Sequence, residues 1–374
     1  MKKIRFNLFF VFTSILLLQN TALARKQEFT KMIYKEFNID PYGTTQLINK
    51  YGKIDAKTWD GNQVKIKVTI IANSNSQSDA EEIFNRIKID FYNDAKFVKA
   101  ETHIGEAKSK WVNFAWISFG TCDYSINYEV YYPRGNYLDL SNKYGDSYIG
   151  NTNGAVKANI KYGNLRMEEV NNSAEVNLAY GNGNIGNVKN NLKMNIDYGK
   201  IIVRNAAKMD INGDYSEFDV ESGGDIKADG DYTTFRLGKV NSMNAHTDYG
   251  NVKVRDVENI TFNGDYSDLI ISTLGNFADV KMEYGALKID NVGKGFSEVK
   301  IDGNYTDVTV SPELGCDYRV DASTYYSGIK FPAGFSVNSE RKGDTKGTLD
   351  GYMGSRNAKG IFKVNVSYGG FKIR

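Results

Sequence analysis

One residue type recurs at a nearly constant spacing, and that spacing limits the folds open to this chain. Tyrosine stands at Tyr144, Tyr162, Tyr180, Tyr198, Tyr215, Tyr232, Tyr249, Tyr266 and Tyr284, in steps of 17 or 18 residues, then at Tyr305 and Tyr326 after longer steps. Around each tyrosine the apolar residues follow one template: Met194, Ile196, Tyr198, Ile201, Val203 in one unit, and Val280, Met282, Tyr284, Leu287, Ile289 in another. Alternation of period two holds on both sides of the tyrosine but slips by one just after it, so two short strands meet at a corner. A single unit of this size has too few apolar residues to bury a face alone. Stacking successive units buries a continuous core and pairs each backbone group with the unit above or below. The fold class expected is therefore all-β, a β-solenoid of 17–18-residue coils over residues 138–374.

A second regularity sits at the same corner. Gly145, Gly163, Gly181, Gly199, Gly250, Gly285 and Gly369 directly follow their tyrosines, whereas Gly213, Gly230, Gly264 and Gly303 stand two residues before theirs, and no unit has both. The expectation is a turn through positive φ, where a residue without Cβ is favoured, supplied in two alternative ways.

Upstream, residues 26–134 read as a small α+β cap over the first coil's unpaired edge. Val64, Ile66, Val68 and Ile70 alternate with polar residues as a strand buried on one face. Ser78 and Glu81 have capping-box spacing, with Ala80, Ile83, Phe84 and Ile87 on one helix face. Strands follow at Ile87–Phe91 and through Ile126, Tyr128, Val130 and Tyr132. The aromatic segment Trp111, Phe114, Trp116, Phe119 reads as a strand or loop closing over the core, the alternative being an exposed adhesive patch. Residues 1–24 have the form of a cleavable export signal: Lys2, Lys3 and Arg5, an apolar run from Phe6 to Leu18, and Ala22-Leu23-Ala24. No later run is long and apolar enough to predict a membrane span once that signal is removed.

Little of the sequence points to chemistry. Lysine plus arginine (47) nearly balances aspartate plus glutamate (45), interleaved along the chain, which argues against a nucleic-acid surface. Cys122 and Cys316 are the only cysteines, so neither a disulfide framework nor a cysteine zinc site organises the fold. His103 and His246 lie far apart, and the position of His246 between Ala245 and Thr247 is an outward one. Arg166, Arg204, Arg236 and Arg255 occupy comparable outward places, as a carbohydrate-cleaving β-helix would require, yet surface charge balance explains them equally. No catalytic residue and no cofactor is predicted. One column is notable: Asp197, Asp214, Asp231, Asp248 and Asp265 precede their corner tyrosines, followed by Glu283 and Asn304. In stacked coils these stand about 4.8 Å apart. They form either turn-favouring aspartates or a weak calcium column.

The unit Tyr249-Gly250-Asn251-Val252-Lys253-Val254, with Tyr51-Gly52-Lys53-Ile54 and Trp59-Asp60 upstream, resembles the bacterial putative-adhesin family of exported β-solenoid domains. The resemblance implies an exported, non-enzymatic surface or envelope protein that binds a protein or glycan. An envelope-signalling accessory that binds a regulatory membrane protein is the second reading, and a carbohydrate-active β-helix enzyme the third. Between Tyr326 and Tyr368 a glycine-rich, basic stretch (Arg341, Lys342, Lys346, Arg356, Lys359) breaks the period, as a loop or an irregular cap would.

Overall fold

The computed structural model describes residues 26–106 and 123–374. The expected export signal, the aromatic segment from Trp111 to Phe119, and Cys122 lie outside them. The described chain is a β-solenoid whose coils pair in parallel. Val156–Lys161 lies between Leu138–Lys143 and Ala174–Ala179, and the ladder continues through Asn182–Asp197, Lys200–Asp214, Glu217–Asp229, Thr234–Asp248 and Asn251–Asp265. Each coil contributes inward side chains from three runs, as with Ile201 and Val203, then Ala206, then Met209 and Ile211, all almost wholly buried. Phe218 and Phe235 stack inside the core at 5.2 Å.

Coil length changes away from the tyrosine. Val188 pairs with Ala206, 18 residues on, whereas Asn191 pairs with Lys208, 17 residues on, so one residue is lost at the bend between them. The reverse change falls between Val257 and Asn259. The tyrosine corner thus keeps its geometry while the opposite bend absorbs the insertion.

The first coil comes from the segment read as a cap. Thr44–Lys50 pairs with Tyr137–Lys143, and Ile54–Trp59 with Ser147–Ile149, both in parallel, with Tyr51 at the corner between them. Its outer edge is covered by Phe97–Ile104 and Tyr124–Pro133, which extend the two faces in parallel and then pair antiparallel with Ile87–Asn93 and Gln63–Ser74. The helix Gln77–Arg86 buries Ala80 and Phe84. Its N-cap is Ser76, whose hydroxyl accepts the Asp79 N–H at 3.2 Å; Ser78 lies inside the first turn. Sequence reading places the cap two residues late because both serines precede an acid by three positions, and only the extended backbone of Ser76 frees its side chain to cap.

At the other end the order of coils departs from the order of the chain. Ile361–Ser367 pairs in parallel with Glu298–Pro312 on one side and Tyr318–Tyr325 on the other, so the last strands of the chain occupy the slot between the two preceding coils. The stretch that breaks the period forms a hairpin, Ser336–Lys342 with Lys346–Met353, laid antiparallel on Tyr318–Tyr325. Its outer strand is exposed at every position and carries Glu340, Arg341 and Lys342, charges that discourage further strand pairing.

Candidate functional site

The corner explains why the period is marked by tyrosine. Thirteen tyrosines, from Tyr51 to Tyr368, have φ between 49° and 61°. The glycines beside them do not: among the described residues only Gly295, Gly315, Gly334 and Gly354 have positive φ, and none is a corner glycine. The expectation that glycine supplies the left-handed residue is therefore corrected. A left-handed residue reverses the pleat, so Asp197 and Tyr198 both face outward between the buried Ile196 and Ile201. The ring that the alternating pattern groups with the core stands outside it.

Glycine serves close packing instead. A Cβ on Gly145 would lie 1.9 Å from the Gly52 carbonyl oxygen, and one on Gly181 1.9 Å from that of Gly163. In the other class the residue after tyrosine is Ser216, Thr233, Ser267 or Thr306, whose buried hydroxyl donates to backbone carbonyls; Thr233 Oγ1 reaches Gly213 O at 2.7 Å and Asp231 O at 2.9 Å. The glycine two residues before the tyrosine leaves room for that side chain: a Cβ on Gly303 would meet Thr306 Cβ at 3.1 Å. The two classes are two ways of filling one corner.

Outside the corner the rings form a continuous ribbon. Successive centroids are 4.7–5.1 Å apart and the planes within 14° of parallel, from Tyr51 through Tyr144 to Tyr305, then Tyr368 and Tyr326. Each left-handed tyrosine costs about 1–2 kcal/mol and each stacked pair returns about 0.5–1.5 kcal/mol, so stacking offsets much of the strain. From Tyr144 onward the rings remain 39–58% exposed. Because each ring covers its neighbour's face, the ribbon offers solvent ring edges and phenolic hydroxyls, not π faces. Partial desolvation and the neighbouring tyrosines and acids raise the Tyr249 phenol above its ordinary value, so this hydroxyl stays a protonated donor at neutral pH.

The residue before each tyrosine flanks the ribbon, and here charge is sorted along the axis. Lys50, Lys143 and Lys161 come first, Ala179 is neutral, and Asp197, Asp214, Asp231, Asp248, Asp265 and Glu283 follow. The Lys143 and Lys161 ammoniums lie 4.8 and 5.4 Å from the centres of their own tyrosine rings. None of these nine charged groups makes an ion pair among the described residues. Two outward positions further back the signs alternate instead, and neighbours neutralise one another, as in Lys157–Glu175 at 3.3 Å and Lys300–Asp279 at 3.6 Å. The next column is a ladder of amides: Asn177 donates to Asn159 at 2.8 Å and Asn195 to Asn177 at 2.6 Å.

The five aspartates proposed as a calcium column do stack in register beside the ribbon, one carboxylate per coil. Asp214 and Asp248 each accept the backbone N–H of the next aspartate in the column at 3.3 Å. No three His, Cys, Asp or Glu side chains converge on a metal-sized space among the described residues. Three of the four outward arginines enter local pairs: Arg236 with Asp219 of the preceding coil at 3.2 Å, Arg166 with Glu168 at 2.8 Å, Arg255 with Asp256 at 2.9 Å. His246 is exposed beside Asn263, and His103 lies 3.4 Å from Asp90. No helix of the described residues is long and apolar enough to cross a membrane.

Against known proteins, no family model and no curated protein matches the chain. Among solved structures it is similar to a putative adhesin from Parabacteroides distasonis, at 13% identity and a TM-score of 0.39, over 69% of this chain and 96% of that one. It is also similar to a putative lipid-binding protein from the same organism, at 14% and 0.36, and a putative adhesin from Parabacteroides merdae, at 12% and 0.36, each with the same coverage.

What sequence reasoning missed was the ribbon itself. Its signal lay in residue choice: Met194 is replaced from coil to coil by other apolar residues, among them Ile211, Ala228, Phe262 and Val280, whereas the corner position is always tyrosine. A position that tolerates no aliphatic substitute among so many copies is not an ordinary core site.

Proposed function

We propose that the chain is an exported, non-enzymatic binding scaffold that holds a protein or glycan partner of the cell surface or envelope along the tyrosine ribbon. The observation that carries this reading is the unbroken stack of thirteen tyrosines, twelve of them 39–58% exposed, flanked by charges that make no ion pair among the described residues. Aromatic side chains with a polar tip are favoured at binding surfaces because they bury large area at small entropic cost. A partner that makes one contact per coil accumulates many weak contacts on a backbone already ordered by the core. Export rests on the signal-like residues 1–24.

The test is binding of residues 26–374 to isolated cell envelopes, compared with a variant carrying Tyr180→Asn, Tyr198→Asn, Tyr215→Asn and Tyr232→Asn. Asparagine tolerates the left-handed backbone, so the fold survives. Binding is expected to weaken by at least tenfold. Retention of wild-type binding by the variant, or turnover of an envelope polysaccharide by the native chain, would overturn the proposal.

A further inference from the structure

The charges beside the ribbon define a complementary partner, and the chain itself supplies it. We propose that the tyrosine ribbon docks face to face on the ribbon of a second copy, antiparallel, about a two-fold axis lying across the ribbon between the Ala179 and Asp197 coils. This rests on the reading of the ribbon as a contact surface and names its partner.

The register follows from charge. A two-fold axis lying across the ribbon in the contact plane reverses the coil order and keeps each flanking column opposite itself. With the axis between Ala179 and Asp197, Lys161 faces Asp214 of the second copy, Lys143 faces Asp231 and Lys50 faces Asp248. Symmetry makes each contact twice, and no like charges meet. Moving the axis toward the acidic end brings aspartate against aspartate, beginning with Asp197 on itself.

The column on the other side of the ribbon was not used to choose this register, and it agrees. Lys53 falls opposite Asn251, Asp146 opposite Thr234, Asn164 opposite Glu217 and Asn182 opposite Lys200. No like charges meet there either.

Area and desolvation are adequate. Eight rings of each copy overlap, and seven of them, from Tyr144 to Tyr249, are 40–53% exposed. At about 100 Å² of remaining surface per ring these seven yield roughly 700 Å² per copy, within the range of a standard specific interface. The contrast with the alternating column two outward positions away matters here. That column balances its charge within one chain, whereas this one holds lysines at one end and acids at the other, and an antiparallel copy sets all three lysines against aspartates.

The experiment is sedimentation equilibrium of residues 26–374 and two charge-reversed variants, one with Lys143→Asp and Lys161→Asp, the other with Asp214→Lys and Asp231→Lys. The wild type is expected to dimerise at low salt, with a dissociation constant that rises about tenfold or more at high salt. Each variant alone is expected to be monomeric, and the equimolar mixture to dimerise, because mixing restores opposite signs at every position. All substituted side chains are solvent-facing, and circular dichroism checks the fold. A monomeric wild type, or a variant that dimerises alone as the wild type does, overturns the pairing. If the wild type is monomeric while the four tyrosine substitutions still abolish envelope binding, the ribbon remains a binding surface and only the choice of partner falls.

Discussion

Tyr305 stacks on Tyr368, not on Tyr326 that follows it in the chain: the Tyr305 and Tyr368 centroids are 4.7 Å apart, and Tyr326 lies beyond Tyr368 at 5.0 Å. The C-terminal strands therefore complete the column from within. Phe362 is fully buried there, 4.9 Å from Phe296 of one neighbouring coil and edge-on to Tyr318 of the other at 5.3 Å. A strand held on both sides bonds two coils that otherwise have no direct pairing.

Phe362→Ala removes a ring shared by both neighbours, and the expected loss is about 3–5 kcal/mol. Denaturant unfolding followed by circular dichroism measures it. A loss below about 1 kcal/mol would mean that the last coils do not unfold cooperatively with the rest.

The corner exchange gives a second prediction. Gly303→Ile alone forces a side chain against Thr306 and is expected to cost about 1–3 kcal/mol. Combined with Thr306→Gly it recreates the arrangement of the Ile196, Tyr198 and Gly199 corner. The double variant should be less destabilised than the sum of the singles by at least about 0.5–1 kcal/mol. Additive singles would show that the two positions do not share one space.

These corners also show how far the sequence could be read. Period, parallel stacking and outward column all followed from repetition, because every coil solves the same burial problem and errors in one unit are averaged by the others. Features that occur once were harder. The insertion of Ile361–Ser367 leaves no trace in its own residues, since its template equals that of any other coil. The outward turn of tyrosine was hidden because one left-handed residue changes the face of a side chain without changing the alternation on either side of it.

The acidic column makes stability depend on pH in a defined direction. Partial desolvation, then the charges of Asp248 and Glu283, hold the Asp265 carboxyl above its ordinary value of 3.8. As pH falls through that raised value the folded chain takes up a proton that the unfolded chain does not, so this group adds stability between the raised value and 3.8. Glu217 and Asp219, which Lys200 and Arg236 hold below their ordinary values, act oppositely at lower pH. Asp248→Asn is therefore expected to raise the denaturation midpoint at neutral pH and to lose part of that advantage as pH falls through the raised value of Asp265. Calcium prefers about six to eight oxygens, and each coil offers one carboxylate, so calcium is expected to shift the melting temperature no more than magnesium at equal ionic strength. A calcium-specific rise would assign the ion to the Asp197 to Asp265 column.

Cys316 lies at the far end of the solenoid from Tyr124, which follows Cys122 by two residues in the sequence. Tyr124 packs against Tyr51 of the first coil at 5.7 Å. From Tyr51 the ribbon takes ten steps of 4.7–5.1 Å to Tyr305, about 50 Å along the axis. Cys316 lies just past that coil, buried, with its backbone N–H on the Glu313 carbonyl and its thiol pushed above the ordinary value by burial. A disulfide needs Cα atoms within about 7 Å, so an oxidising compartment cannot join these two thiols within one straight solenoid. Alkylation of the denatured, non-reduced chain followed by mass spectrometry is expected to label both cysteines separately, whereas a peptide linking Cys122 to Cys316 would falsify the straight stack of coils together with the thiol assignment.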